Sequence, residues 1–439
     1  MTAFIRSLLA RRLVRDVAVS YVFTAATLVV NLLTGIIVAR LLGADGRGEL
    51  AAILAISQVA TWIFAMGCNQ AASFHLARHP GDGSALIGSW LMLLGPLAVL
   101  GVIATVAVLP VALASQRDEV VMMAQFFATT IGVALVLELL NGVLLGDHRF
   151  ILWNWLRLAQ PAGVAALYVL LWRLDELTLS SALIANAAMV VLVSLGAGLW
   201  ALRRYGRPRA EIQLARSTFW FGFRVHGSNV AVTVNTRLDL TIIPAFVGAT
   251  SVGLYSVAAN LAAIVGTLAG TVVALVLPAA ARRAERGPTT VVASMYAAFG
   301  VGVLGALLIG LFADLTLRLL YGEAFAAATG PLRVLLVGYV LLMPGLVLCQ
   351  GLSAANRPVT STLPQIAGSV VTVVGLVLFL DEGGIRAAAW VTTVAYAVVL
   401  ASALVLYRAV AKLSWRTLSP AQSLAALRLR TVADPGGSG

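Results

Sequence analysis

The chain has 439 residues, 60% of them hydrophobic and only 11% charged, with a mean hydropathy of +0.97 and a formal net charge of +12. A soluble chain carries about 25% charged residues, so this composition excludes a soluble fold and leaves no stretch over for a soluble domain.

In chain order, the first sixteen residues set Arg6, Arg11, Arg12 and Arg15 among Phe4, Ile5, Leu8, Leu9 and Leu13. This pattern predicts an amphipathic helix lying on the inner membrane surface; it also resembles a transit peptide, but no small-residue cleavage site precedes the first span. Apolar runs follow at 17–39, 50–76, 86–112, 120–145, 152–172 and 179–202, then at 219–247, 253–280, 291–313, 332–352, 363–380 and 387–407. Each is near the ~20 residues that cross a bilayer, and they are continuous rather than alternating, which predicts helices and not barrel strands. The expectation is an all-α polytopic membrane protein with twelve transmembrane helices. Residues 1–16 are the amphipathic segment, 17–202 an N-lobe of six spans, 203–218 a cytoplasmic basic linker, 219–407 a C-lobe of six, and 408–439 a cytoplasmic tail, partly disordered.

Charge placement orients the chain. With the amino terminus inside, the inner loops and ends hold Arg78, Arg149, Arg157, the run Arg203 to Arg216, Arg282, Arg283, Arg286, Arg357, Arg408 and Lys412, whereas the outer loops hold Arg40, Arg47, Arg117, Arg173, Arg318, Arg333 and Arg386. That bias predicts an N-in, C-in topology. The basicity suits an anionic membrane and requires no nucleic acid.

The link after the first span reads Gly43-Ala-Asp-Gly-Arg-Gly48, and the link after the seventh reads Gly248-Ala-Thr-Ser-Val-Gly253. Both are G-A-x-x-x-G, both follow an Ile-Ile pair, and they are 205 residues apart. Six spans per half leave the copies in the same orientation, which predicts a parallel repeat about an axis normal to the membrane, the architecture of a transporter.

The seventh span is unusually polar, carrying Arg224, His226, Asn229, Asn235, Arg237 and Asp239. Charges inside a bilayer are retained for a water-filled path, an ion pair or a substrate contact. At about 100° per residue, Arg224, Ser228, Asn235 and Asp239 share one face, and His226, Thr233 and Arg237 lie roughly opposite. Arg224, Arg237, Asn235 and Asn229 are therefore candidates to line a lumen, and Glu138, Asp239 and His226 are candidates for a coupling ion or for static ion pairs. Glu138 and Arg224 lie at similar depth, about 10–12 Å from the inner surface. Pro96, Pro161, Pro244, Pro278, Pro344 and Pro364 are candidate bend points. The four histidines His75, His79, His148 and His226 form no constellation, and Cys68 and Cys349 fall in separate spans, so no metal, cofactor, disulfide or catalytic centre is expected.

Asn235-Thr-Arg-Leu-Asp239 followed by Val252-Gly-Leu-Tyr-Ser-Val-Ala258 resembles the seventh-to-eighth helix region of Wzx-type oligosaccharide flippases, the polysaccharide biosynthesis proteins. Ala39-Arg-Leu-Leu-Gly-Ala-Asp-Gly-Arg-Gly48 resembles their first extracytoplasmic loop, Leu320-Tyr-Gly-Glu-Ala-Phe325 before Pro331 the loop that opens their tenth helix, and Asn356-Arg-Pro358 the short inner loop after it. The resemblance implies the multidrug/oligosaccharidyl-lipid/polysaccharide exporter fold, two six-helix lobes around a central cavity. It implies a flippase that moves a polyprenyl-pyrophosphate-linked oligosaccharide to the outer leaflet of a bacterial plasma membrane. The partners implied are that lipid-linked glycan, anionic lipids, and a polysaccharide polymerase with its assembly proteins. Arg is suited to phosphate, which makes Arg224 and Arg237 the expected pyrophosphate contacts. A peptidoglycan-precursor flippase of the superfamily is expected to carry two further helices, for which this chain lacks room. A multidrug exporter of the same fold would favour acidic cavity walls. A membrane-embedded polymerase or glycosyltransferase would need acid–base residues on a sizeable loop, and the longest outer loop here is only 314–330.

Overall fold

A computed structural model of the chain describes residues 2–281, 287–355 and 357–414; the side chains of 2–18, 228–229, 232–234, 268–269, 271–281, 287, 289 and 358 are outside that description. The side chains expected to make the first residues amphipathic, that of Asn229, and most of the basic tail thus lie outside the described residues.

Helices fill all twelve apolar runs. They are α1 (Thr2–Phe64), α2 (Cys68–Arg78), α3 (Gly83–Ala112), α4 (Asp118–Ala128), α5 (Ile131–Gly146), α6 (Phe150–Arg173), α7 (Leu179–Tyr205), α8 (Ile212–Ile242), α9 (Ala249–Ala281), α10 (Gly287–Leu311), the short α11 (Ala313–Thr316), α12 (Thr329–Ala354) and α13 (Pro358–Ala411). Among the described residues seven helices, or eight if one bent pair is a single span, are long and apolar enough to cross a membrane. Two of these, of 46 and 53 residues, are far longer than the ~20 residues a bilayer needs. Each is broken by a glycine at positive φ, Gly43 (φ 69°) in α1 and Gly384 (φ 54°) in α13, a conformation that side-chain-bearing residues rarely adopt.

Two further breaks divide runs that read as continuous in sequence. At 65–67 the chain leaves α1 through Met66 (φ 46°) and Gly67 (φ 77°) before α2 begins. At Thr129 and Thr130 the hydroxyls bond back to the carbonyls of Phe126 and Phe127, as do the backbone N–H groups, so the regular helical ladder gives way to three-residue turns. Helices α4 and α5 consequently meet at a bend of 43°.

The chain divides into two compact units: Met1–Val230 with Pro244–Gly253, and Ala231–Ile243 with Leu254–Gly439. The division falls inside α8, whereas the basic linker expected to separate the lobes belongs wholly to the first unit. That linker is fixed to the start of α3. Ser84 Oγ donates to the Arg207 carbonyl (2.6 Å), Arg209 N donates to the Ser84 carbonyl (3.0 Å) and Ser89 Oγ accepts from Glu211 N (3.0 Å).

In the first unit α1 packs on α6, α2 and α3 on α5, and α5 on α7. The core includes Leu50, Ile53, Trp90, Ile131 and Tyr168. On α3, Ser89 and Thr105 are buried while Val99, Leu100, Ile103 and Val108 are exposed. Apolar surface outside with polar groups inside is the arrangement that lipid selects. In the second unit α12 packs on both α10 and α13, around Tyr255, Phe325 and Tyr396.

Candidate functional site

The seventh span of the sequence reading is α8, whose two halves have different surroundings. In its first half Trp220, Phe223 and Arg224 are exposed, and among the described residues Arg224 Nε reaches only the carbonyl of Trp220 on its own helix (3.3 Å). His226 is half-buried, its ring nitrogens shielded from solvent and directed at the backbone of Trp62 and Ile63. Near the end of α8 the polar side chains are buried. Asn235 is 1% exposed and donates Nδ2 to Gln365 Oε1 (2.9 Å), a side chain that in turn reaches Cys349 Sγ (3.9 Å). Asp239 is 4% exposed and accepts from the Tyr255 hydroxyl (2.6 Å) and from Leu240 N (2.8 Å); Thr392 Oγ1 lies 3.1 Å from the same tyrosine oxygen.

A bare carboxylate at that depth would cost several kcal/mol, and these bonds offset the cost. Arg237 is half-buried and its charge acts on Asp239 and Tyr339, but among the described residues it forms no ion pair with Asp239, whose hydrogen bonds come from Tyr255 and Leu240 N. The geometry therefore splits the face that Arg224, Asn235 and Asp239 share: its first part is open and its last part is bonded inward.

A cleft of about 530 Å³ opens beside the start of α8, lined by Asn69, Gln70, Ser73, Phe74 and Arg78 of α2 and by Leu145, Phe221 and Val225. Phe74 stacks on Phe221 at 4.3 Å between centroids, and the Arg78 guanidinium covers the other ring face of Phe74, 3.9 Å from its centroid. Arg224 lies between Phe221 and Val225 in sequence, within about 60–100° of each around the helix. Asn69 also donates Nδ2 to Glu138 Oε2 (3.2 Å), which links this acid to the cleft wall. The contact requires α2 and α5 to approach closely, and Gly142 allows it, since a Cβ there would overlap the backbone of Asn69. The charge of Arg157 acts on Glu138, and no ion pair joins Glu138 to Arg224 among the described residues.

The two G-A-x-x-x-G copies, read from sequence only as a repeat, touch each other. A Cβ on Gly48 would overlap the Ala249 carbonyl oxygen, and a Cβ on Gly253 would overlap the Ala44 carbonyl oxygen. Ala44 is equivalent to Ala249 and Gly48 to Gly253, so each copy offers its alanine to the other's glycine. The contact is reciprocal, the same two positions of each copy meeting in both directions. Thr250 bonds Asp45 across the same contact. The loop before α4 closes over it, with Ser115 Oγ donating to the Ala245 carbonyl (2.9 Å) and Gln116 Nε2 to those of Pro244 (3.2 Å) and Val247 (2.9 Å). Buried Glu49 accepts from Arg117 at 2.6 and 3.1 Å. Together these contacts form a polar clasp at one end of the first unit.

One expectation is corrected. His75 and His79 do not stand apart: their rings stack at 4.7 Å, and His75 Nε2 lies 3.1 Å from Asp82 Oδ2. The spacing i, i+4, i+7 carries the signal, because the first four-residue step puts two side chains on one helix face. Cys68 and Cys349 are both buried and free.

Residues 13–283 match the family described as polysaccharide biosynthesis protein. No curated protein matches the chain in sequence. Among solved structures, the lipid II flippase MurJ in an inward closed conformation matches with a TM-score of 0.75 at 13% identity, over 96% of this chain and 94% of that one. An inward-facing multidrug resistance MATE family transporter of the MOP superfamily matches at 0.70 with 17% identity, over 89% and 96%. A MOP superfamily transporter from Pyrococcus furiosus, whose binding pocket is described as of reverse polarity, matches at 0.58 with 16% identity, over 91% and 94%. At such identities the likeness is one of fold. The lipid II flippase is matched over 94% of its length.

Proposed function

Given that the chain belongs to the polysaccharide biosynthesis protein family, we propose that it is a flippase for a polyprenyl-pyrophosphate-linked oligosaccharide, working by alternating access in a bacterial plasma membrane with both termini cytoplasmic. On this reading the twelve apolar runs are twelve spans in two six-helix lobes, and the clasp at Gly48 and Gly253 faces outside. The observation that carries the substrate class is the asymmetry of charge on α8. Asp239 is withdrawn into hydrogen bonds, while Arg224 is exposed and next in sequence to Val225, which lines a cleft together with Phe74 and Phe221. An anionic headgroup on an apolar chain matches an exposed guanidinium together with Phe74, Phe221 and Val225.

Arg224 receives the pyrophosphate, Arg237 is a second station nearer the other end of the helix, and buried Asn235 positions that end of α8. Asn229 stays a candidate contact on sequence grounds alone. Of the coupling candidates, Glu138 is favoured over Asp239 and His226, because Asn69 joins it to the cleft wall while both Asp239 oxygens are engaged. Glu138→Gln should then change the dependence of transport on pH, sodium or membrane potential.

An organic-cation exporter of the same fold is the second reading, kept open by the likeness to the multidrug transporter. Reconstituted flipping of a pyrophosphate-linked glycan, with expression-matched variants, separates the two. Loss in Arg224→Ala with partial activity in Arg224→Lys supports the flippase. Full activity in both Arg224→Ala and Arg237→Ala removes the phosphate role. Cation efflux without flipping establishes the exporter.

A further inference from the structure

We propose that His75, His79 and Asp82 form a binding site for one zinc-class divalent cation at the turn between α2 and α3. The three donor atoms, one from each side chain, lie within 4.8 Å of one another. Tetrahedral zinc, with bonds of about 2.0–2.2 Å, holds its ligand atoms about 3.3 Å apart. The 3.1 Å between His75 Nε2 and Asp82 Oδ2 is already close to that spacing. The exposed His79 ring, now stacked on His75, must turn out of that stack to aim its lone pair at the same ion and complete a three-ligand set.

The backbone holds these residues in place. His79 closes α2 with its N–H on the His75 carbonyl (2.9 Å), Asp82 N donates to the His79 carbonyl (3.1 Å), and the Asp82 carbonyl accepts from Leu86 N (2.8 Å) as α3 begins. The tautomer of His79 is favourable as well. Its Nδ1 is 3.3 Å from the His75 carbonyl oxygen, and a proton held there leaves Nε2 with a free lone pair, the outer-shell arrangement of metal-bound histidines.

The donor set selects the ion. Two imidazoles and one carboxylate suit zinc and its neighbours, whereas magnesium and calcium require oxygen ligands. Three protein ligands leave a coordination position open. Asp82 also lines a polar cleft of about 380 Å³ together with Arg207 and Arg209 of the linker. A bound cation would tie the end of α2 to the start of α3 and stabilise the folded protein by linkage.

The test uses the full-length protein, purified in detergent through a tag free of histidine and stripped with a chelator. Zinc is titrated against a competing chromogenic chelator, with magnesium present in excess throughout, and bound metal is counted by elemental analysis. The expected result is one zinc per chain and a rise in melting temperature on zinc addition. The dissociation constant should be at least ~10-fold weaker in His79→Asn and in Asp82→Asn, the scale of a lost ligand or its support, and unchanged in His148→Asn. His79 and Asp82 are exposed, so both variants keep the test valid if His75→Gln misfolds. Binding well below one equivalent, or an affinity unchanged by His79→Asn and Asp82→Asn, overturns the site.

Discussion

The middle of α8 around Arg224 and the last turns of the same helix treat their polar residues in opposite ways. Around the middle of the helix Trp220 is 50% and Phe223 48% exposed, and among the described residues Arg224 bonds only within its own helix. In the last turns Asn235 and Asp239 are 1% and 4% exposed, and each is matched to a side chain from another helix. A polar residue in a membrane helix can thus be made structural by supplying its hydrogen bonds, or kept available by withholding them. The difference separates scaffold from candidate contact within one element.

The largest effect is expected where that scaffold is broken. Asp239→Ala leaves Tyr255 and Leu240 N without their shared acceptor, and removing one member of a buried network costs about 3–5 kcal/mol. Such a protein should insert poorly and unfold early in detergent. Tyr255→Phe removes one bond to the carboxylate and should cost about 1.5–3 kcal/mol. If Asp239→Ala melts within a degree of the parent, the last turns of α8 are not the anchor described here.

Arg224→Ala should give the reverse signature. An exposed side chain bonded only to its own helix contributes within about 0.5 kcal/mol to stability, yet flipping should fall at least ~10-fold, which corresponds to about 1.4 kcal/mol in the barrier. Loss of stability and transport together in both Arg224→Ala and Tyr255→Phe would erase the distinction between the two halves of the helix.

Much of this was legible before the structure. The helices at all twelve runs follow from continuous apolarity, because lipid leaves the backbone no other partner. The breaks at 65–67 and 129–130 were not legible, since they depend on Met66 and Gly67 at positive φ and on two threonine hydroxyls competing for carbonyls. The G-A-x-x-x-G pair was visible as a repeat, but that the copies meet glycine-to-alanine is a fact of packing that no spacing encodes. Tyr255 stands inside a motif quoted from the sequence, but its bond to Asp239 was missed. Gln365 and Thr392, more than 100 residues away from their partners, left no local signal. His75, His79 and Asp82 do leave one, at i, i+4 and i+7, because the first of those steps sets two side chains on one helix face.

The clasp offers an intermediate test, because alternating access requires a closed end to open. Asp45→Cys with Thr250→Cys, in a background lacking Cys68 and Cys349, should cross-link under mild oxidation, since the native side chains bond each other. Flipping should stop when the bridge forms and return on reduction. Cross-linking with no loss of transport would make the clasp a fixed hinge.

The smallest effect lies outside the spans, at Asp147 in the turn after α5. It accepts from Arg149 Nε (3.3 Å) and from Arg204 Nε and Nη2 (3.3 Å each), joining that turn to the last turn of α7. Burial pushes this carboxyl up, but the bonds from Arg204 and Arg149 outweigh it and hold the group below its ordinary 3.8. A depressed carboxyl contributes stability above the unfolded-state value and loses it as the pH falls through the folded one. The deficit of Asp147→Asn against the parent should therefore be constant from neutral pH down to about 5 and shrink below 3.8. Its size is set by the partners: Arg149 and Arg204 are 53% and 45% exposed, so solvent screens the pairs and about 1 kcal/mol is the ceiling. High salt should shrink it further. A deficit that persists unchanged at pH 3, or in 1 M salt, would mean that Asp147 acts through packing and not through its charge.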